Sequence, residues 1–328
     1  MRKIIKDMTK TLLYHFGGYD LLRFIQRNKV VILMYHRFSE KPEPFKVQKD
    51  VFEKQIVFLK KKYNFVSLSR YADVQSGRRD DLPPNSIILT IDDGYWDNYT
   101  IAYPILKRHS IPATIFITTD FVDKHAWLWA NKLEYILKNT NYKQFSFALD
   151  GQAVSFDVSN FANWHKTQLR IFNHCATLPN REKDTLLNTL AEELRVDVPE
   201  KTQGDFLPLT WDQIREMNAN GIDFGSHTCS HPILSRCTKE ELEHEIRTSK
   251  ATIDKMVDKD TVFFCYPNGG SADFNQRAVN ILRDSGFVAA VTTIAGRNNV
   301  KKQDPFRLRR VSISGESSYK MLYQLISL

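Results

Sequence analysis

From about residue 29 onward, short runs rich in β-branched and aromatic residues are each followed by an amphipathic helical pattern. That alternation restricts the chain to few architectures. The runs fall at residues 30–36, 86–92, 113–118, 223–227, 261–266, 287–292 and 306–313, and helical patterns at 51–62, 98–109, 211–220, 239–257 and 274–285. The runs are apolar almost throughout, so each must be covered on both faces, as in a parallel sheet packed between helices. A closed barrel and an open doubly wound sheet both satisfy that requirement. Some helix ends are readable: Thr210 with Gln213 and Thr238 with Glu241 have capping-box spacing, and Gly221 stands where a helix would stop.

Residues 121–206 break the rhythm. Helical stretches at 129–138, 161–177 and 181–194 are separated by polar turns such as 149–151, so this segment is expected to be a mainly helical insertion. Trp127 and Trp129 within it are expected to pack against the barrel rather than stack on a ligand. Residues 1–29 form an N-terminal extension. Ile4, Ile5, Met8, Leu12 and Leu13 recur there at helical spacing beside Lys3, Lys6 and Lys10. The charges interrupt the apolar residues and no small-residue cleavage site follows, which argues against an export signal. The expected location is the cytoplasm, and this basic helix reads first as a surface helix docked on the domain and, as the alternative, as a peripheral contact at the inner membrane face.

Charge narrows the partners. The 46 Lys and Arg residues exceed the 38 Asp and Glu, for a formal charge of +8 and a pI near 9.1, which favours anionic partners such as lipid-linked sugars or acidic glycans. No recognition helix, zinc finger or RNA-binding signature is present, so no nucleic-acid partner is expected. Cys175, Cys229, Cys237 and Cys265 lack paired spacing and read as reduced thiols. The sequence carries no signal for the oligomeric state.

The chemistry concentrates at run ends. Ile87–Gly94 reads I-I-L-T-I-D-D-G, an apolar strand ending in two adjacent acids. Consecutive side chains diverge on a strand, but where the backbone turns both carboxylates can reach one cavity, and Gly94 supports such a turn. Residues 225–232 read G-S-H-T-C-S-H-P, with His227 and His231 spaced to point two imidazoles at one ion. Two imidazoles and one carboxylate form a facial metal site, suited to Zn²⁺ and also to Co²⁺, Mn²⁺ or Fe²⁺. Strand parity in 304–313 puts Val311 and Ile313 on one face and Leu308 and Arg310 on the other, so the segment reads either as a barrel strand with Arg310 pointing inward and paired with Asp92, or as a basic edge strand carrying Arg307, Arg309 and Arg310. His36, Asp92, Asp93, His227 and the Pro267–Asn268 turn all fall at the C-terminal ends of runs, the face where parallel barrels carry their sites.

T-I-D-D-G and S-H-T-C-S-H-P, in that order, resemble the first two motifs of the NodB-like polysaccharide deacetylases, carbohydrate esterase family four. The resemblance spans roughly residues 30 to 315. It implies a distorted (β/α) barrel of about seven parallel strands. Carried over, Asp92 matches the catalytic base and Asp93, His227 and His231 the metal ligands. The family's Arg-x-Pro-Tyr motif appears as Cys265-Tyr266-Pro267-Asn268, followed by Gly269 and Gly270, similar to the Tyr-Pro-x-Gly form of poly-N-acetylglucosamine deacetylases. There the Asn268 amide can serve as an oxyanion donor, which needs no side chain. The family's late Leu-x-His is absent. Tyr35-His36 resembles the rearranged branch in which an N-terminal histidine is the catalytic acid. The implied activity is metal-dependent removal of N-acetyl groups from an amino sugar of a surface polysaccharide or its lipid-linked precursor. An O-acetyl esterase or deformylase on the same scaffold, or a silent glycan-binding protein, are the alternatives.

Overall fold

A computed structural model describes residues 18–313 and Gly315, and the expectation for the first seventeen residues lies outside that range. Twelve strands occur among these residues: β1 (Val31–Tyr35), β2 (Phe38–Ser39), β3 (Val47–Gln48), β4 (Asn64–Phe65), β5 (Ser86–Ile91), β6 (Ala113–Ile117), β7 (Gln144–Leu149), β8 (Gln152–Asp157), β9 (Ile222–Ser226), β10 (Phe263–Cys265), β11 (Ala289–Ala295) and β12 (Leu308–Ser312). Seven of them, β1, β5, β6, β9, β10, β11 and β12, pair in parallel with their neighbours in chain order. β12 then pairs with β1, which pairs with β5, so the sheet closes into a barrel. These strands correspond to the seven runs of the sequence. Closure selects the barrel over the open sheet.

Alternation along each strand divides the core in two. Leu33, Tyr35, Leu89, Ile91, Ile115 and Val311 face outward, packed against Ile56 and Leu59 of helix Lys49–Lys62 and Ile214 and Met217 of helix Trp211–Ala219. Ile32, Ile88, Phe116, Phe263, Val291 and Leu308 form the other cluster, inside the barrel, with Leu68 and Tyr71 of helix Leu68–Gln75 stopping its base. Gly225 makes room within: a Cβ there would sit 2.5 Å from the Phe116 ring. Both capping boxes form, at Thr210 and Thr238.

The insertion has its own apolar core, in which Trp129, Leu133, Phe147, Phe156, Ile171 and Leu190 are buried. Helices Trp129–Asn139, Phe161–Cys175 and Asn180–Glu193 are joined by an antiparallel hairpin, β7–β8. The sequence reading placed a turn at 149–151 but not its strands. Phe145, Phe147 and Leu149 nevertheless alternate with the exposed Gln144, Ser146 and Ala148, and Asp150-Gly151 at φ +51° and +74° makes the left-handed turn such hairpins use. Trp129 stacks on Phe172 with centroids 4.5 Å apart, and Trp127 packs on Tyr135 and Phe206. Ion pairs tie this unit to the barrel: Arg37 lies 3.8 Å from Glu134 and Lys46 is 2.9 Å from Asp205.

Candidate active site

The barrel's C-terminal rim gathers the singled-out residues from separate strands. Asp92 and Asp93 follow β5 directly, and Asp93 turns at φ +77°, a left-handed conformation that spreads the two carboxylates into one cavity. Gly94 continues the turn at φ +88°, where a Cβ would lie 2.8 Å from Ile117 Cγ2. His227 and His231 flank a loop after β9 in which Thr228 and His231 are also left-handed. Such strain, of order 1–3 kcal/mol per residue, persists only where surroundings hold it. Here Thr228 Oγ1 accepts from the His231 amide, and Ser226 Oγ accepts from the Thr228 amide. Glu245, buried on helix Lys239–Val257, accepts from the amides of Cys229 and Ser230 and from the Ser230 hydroxyl.

Two sub-arrangements result. In the first, Asp93 Oδ1 is 3.4 Å from His227 Nε2 and 3.5 Å from His231 Nε2, and ligand atoms of the three residues all lie within 4.8 Å of one another. Asp93 Oδ1 is buried without a hydrogen-bond partner. Four-coordinate ions with ligand bonds of about 2.0–2.1 Å place neighbouring ligand atoms roughly 3.4 Å apart, so these residues fit a small divalent cation. His227 Nδ1 must donate to the Cys265 carbonyl at 2.8 Å, since a carbonyl only accepts, and this aims Nε2 at Asp93, where a bound cation would take the place of a proton. Burial, with the adjacent His227, pushes His231 down to about 3, so its imidazole is neutral and ready to ligate.

In the second, Arg310 Nη1 and Nη2 each donate to one Asp92 oxygen at 2.7 Å. Arg310 is 1 % exposed, and its other donors reach the Thr292 carbonyl, Thr90 Oγ1 and Cys265 Sγ. Burial alone would raise the Asp92 carboxyl, but the Arg310 charge and hydrogen bonds outweigh it, helped by His36 and His227, and hold it below the usual carboxylate range. Cys265 is pushed upward by burial and stays a thiol. His36 Nε2 lies 3.8 Å from Asp92 Oδ2, with its side chain 41 % exposed at the mouth. Asn98 Nδ2 fixes it from behind by donating to the His36 carbonyl.

Pro267 and Asn268 follow β10 on the same rim, Asn268 at φ +58°. No hydrogen bond or ion pair among the described residues joins Asn268 to the acids, and the tie runs through Cys265 at the end of β10. The Asn268 amide makes no hydrogen bond among the described residues, while its carbonyl accepts from Thr293 Oγ1. Sequence reasoning missed Glu245, Asn98 and Arg37. Nothing in the sequence marked Glu245, because its partners are backbone amides on another element. Arg37 is marked in the sequence as a charge just beyond an apolar strand, and it lies over the rings of Tyr95 and Phe206 at 4.8 and 5.1 Å.

A parallel barrel whose rim joins a His–His–Asp cluster to a second, arginine-bound acid defines a hydrolase scaffold. The chain belongs to the polysaccharide deacetylase family, whose model matches residues 79–290. It is 23% identical over 286 residues to the YxkH protein of Bacillus subtilis (strain 168), covering 87% of this chain and 72% of that one. It is 27% identical over 161 residues to poly-β-1,6-N-acetyl-D-glucosamine N-deacetylase of Staphylococcus aureus, which covers 44% of this chain and 54% of that protein. In fold it resembles the Streptococcus pyogenes deacetylase PplD, with a TM-score of 0.60 at 21% identity, covering 90% of this chain and 97% of that one. IcaB from Ammonifex degensii superposes with a TM-score of 0.60 at 18% identity over 92% and 97% of the two chains.

Proposed function

We propose that this enzyme removes N-acetyl groups from an amino sugar of a surface polysaccharide or its lipid-linked precursor, using one divalent cation held by Asp93, His227 and His231. The observation that carries this reading is the convergence of Asp93 Oδ1 and two imidazole Nε2 atoms beside an acid, Asp92, that is bound to Arg310 instead. When bound, the cation, most simply Zn²⁺, lowers the pKa of water and polarises the acetyl carbonyl. Arg310 keeps Asp92 ionised and its plane fixed, leaving further lone pairs on the carboxylate to take the proton of the attacking water. The free Asn268 amide offers a hydrogen bond to the developing oxyanion. His36, at the mouth, hands a proton to the departing amine. Water and amide are thereby converted to acetate and free amine.

Incubating the full chain with Zn²⁺, Co²⁺ or Mn²⁺ and a panel of N-acetylated glycans and lipid-linked sugars, then measuring acetate, tests the proposal. Release that requires metal supports it, and no release from any glycan rejects it. The similarity to the Staphylococcus aureus enzyme makes β-1,6-linked N-acetylglucosamine the first substrate to try.

The N-terminal segment is proposed to touch a membrane surface. Helix Gly18–Ile25 exposes Leu21, Phe24 and Ile25, with Arg27 and Lys29 following. It lies at the barrel base, where Asn85 donates to the Arg27 carbonyl just before β5, so the rim would face away from the bilayer. Co-sedimentation with anionic but not neutral vesicles is the expected result, and equal recovery with both removes the proposal. Among the described residues no helix is long and apolar enough to cross a membrane.

A further inference from the structure

The loop that carries His36 continues through β2, loops back over residues 40–46 and then runs parallel to β2 as β3. At the turn Phe45 adopts φ +62°, a backbone that a bulky aromatic residue rarely takes, and it is 46 % exposed. The strain is held on both sides. Lys46, the next residue, is buried and ion-paired with Glu43 at 2.7 Å and with Asp205 of the insertion at 2.9 Å. The Phe45 ring itself rests on the insertion helix Phe161–Cys175, with its centroid 5.1 Å from His165, 5.9 Å from Trp164 and 6.1 Å from Phe161. Phe161 is 52 % exposed, and its ring plane lies within 7° of that of His165.

Two clefts flank this aromatic cluster. One, of about 310 Å³, is lined by Trp164, Asn160 and Lys143, and the other, of about 510 Å³, by His165, Glu43 and Gln48. Trp164 lines the first and His165 the second, and Phe45 and Phe161, both exposed, line both. Exposed ring faces beside hydrogen-bonding side chains of both charges suit a pyranose, which is apolar across its C–H face and polar at its edge. A lipid surface would call for a basic rim, and Glu43 argues against it.

The cluster also lies on the catalytic face. Extended-chain spacing allows at most about 20 Å between the Cα atoms of His36 and Phe45, counting two residues out, one strand crossing and two residues back. A polymer with its reacting sugar at His36 therefore reaches Phe45 a few residues along. We propose that Phe45, Phe161 and His165, backed by Trp164, form a distal subsite that stacks on sugar rings of a polymeric glycan and gives the enzyme a preference for long chains. This proposal rests on the glycan deacetylase reading above.

The test compares kcat/KM for a long and a short β-1,6-linked N-acetylglucosamine oligomer in the wild type and in Phe161→Ala, Phe45→Ala and Phe161→Tyr. The long-to-short ratio is expected to fall about tenfold in both alanine variants and to survive in the tyrosine variant, which keeps the ring. An unchanged ratio in the alanine variants overturns the subsite. So does an equal loss in the tyrosine variant, or a drop in melting temperature with the ratio intact, which would assign the rings to packing alone. Calorimetric titration of the long oligomer into Asp92→Asn, with and without Phe161→Ala, reads the subsite independently of turnover. A tenfold weakening there supports it even if the wild type releases no acetate, an outcome that would reject the deacetylase reading instead. Equal affinities reject the subsite.

Discussion

Arg310 binds both oxygens of Asp92 at 2.7 Å each, although 218 residues separate them in the chain. The pair is buried, so each charge depends on the other. Arg310→Met should lower unfolding stability by about 3–5 kcal/mol, because it strands a carboxylate in an apolar interior. The pair also has an acid limit. Asp92 is held below its ordinary value of about 3.9, so its contribution is complete above that pH and is lost as pH falls through the lower, folded value. In the variant burial is opposed only by the smaller pull of His36 and His227, and the Asp92 carboxyl rises. The acid limb of kcat/KM should move to higher pH. Denaturant titration and a pH–rate profile read the two effects, and an unmoved limb would separate Arg310 from the base.

Metal binding should follow Asp93 and the histidines and spare Asp92. A His227→Ala, His231→Ala double variant is expected to purify without stoichiometric metal, whereas Asp92→Asn keeps it and loses turnover. Chelation of the wild type should abolish acetate release, and added Zn²⁺ should restore it. Elemental analysis decides the point, and a full equivalent of metal in the double variant contradicts the ligand set.

His36→Ala should lower kcat about 10²–10⁴-fold on an N-acetyl amide, because an amine leaves poorly without a proton. An activated aryl acetate, whose leaving group departs as an anion, should lose far less. Equal losses on both substrates would remove the proton-donor role and point to His36 as a support for Asp92.

Asp97 predicts a second pH effect, opposite in sign. Burial raises its carboxyl to about 7, against the pull of Arg37. Between about pH 4 and 7 the folded protein therefore holds a proton that the unfolded chain has released, and stability declines as pH rises through that window. Asp97→Asn lacks this slope. The variant should gain on the wild type by up to a few kcal/mol between about pH 5 and pH 8, measured by urea denaturation. A constant difference across that range would show that Asp97 does not titrate there.

The barrel was legible because each of its strands is covered on both faces and so reads as an uninterrupted apolar run. The rim residues were legible because each interrupts such a run at its end: His36 after Tyr35, Asp92 after Ile91 and His227 after Ser226. Arg310 was legible only through parity, as the inward neighbour of Leu308. The β7–β8 hairpin was overlooked although its alternation was present, because two short strands beside long helical patterns carry a weak signal. Glu245 and Asn98 left no trace, since their partners are amides and a carbonyl on other elements.

Local order of side chains along the chain thus determined strand, helix and the identity of the reactive groups, for those depend on neighbours a few residues apart. Which groups share a cavity was decided by closure of β12 onto β1 and of β1 onto β5, which brings Arg310 to Asp92. The left-handed backbones at Asp93 and His231 were likewise decided by the fold. Each is disfavoured by its own residue and is held only by hydrogen bonds and packing that the assembled barrel supplies.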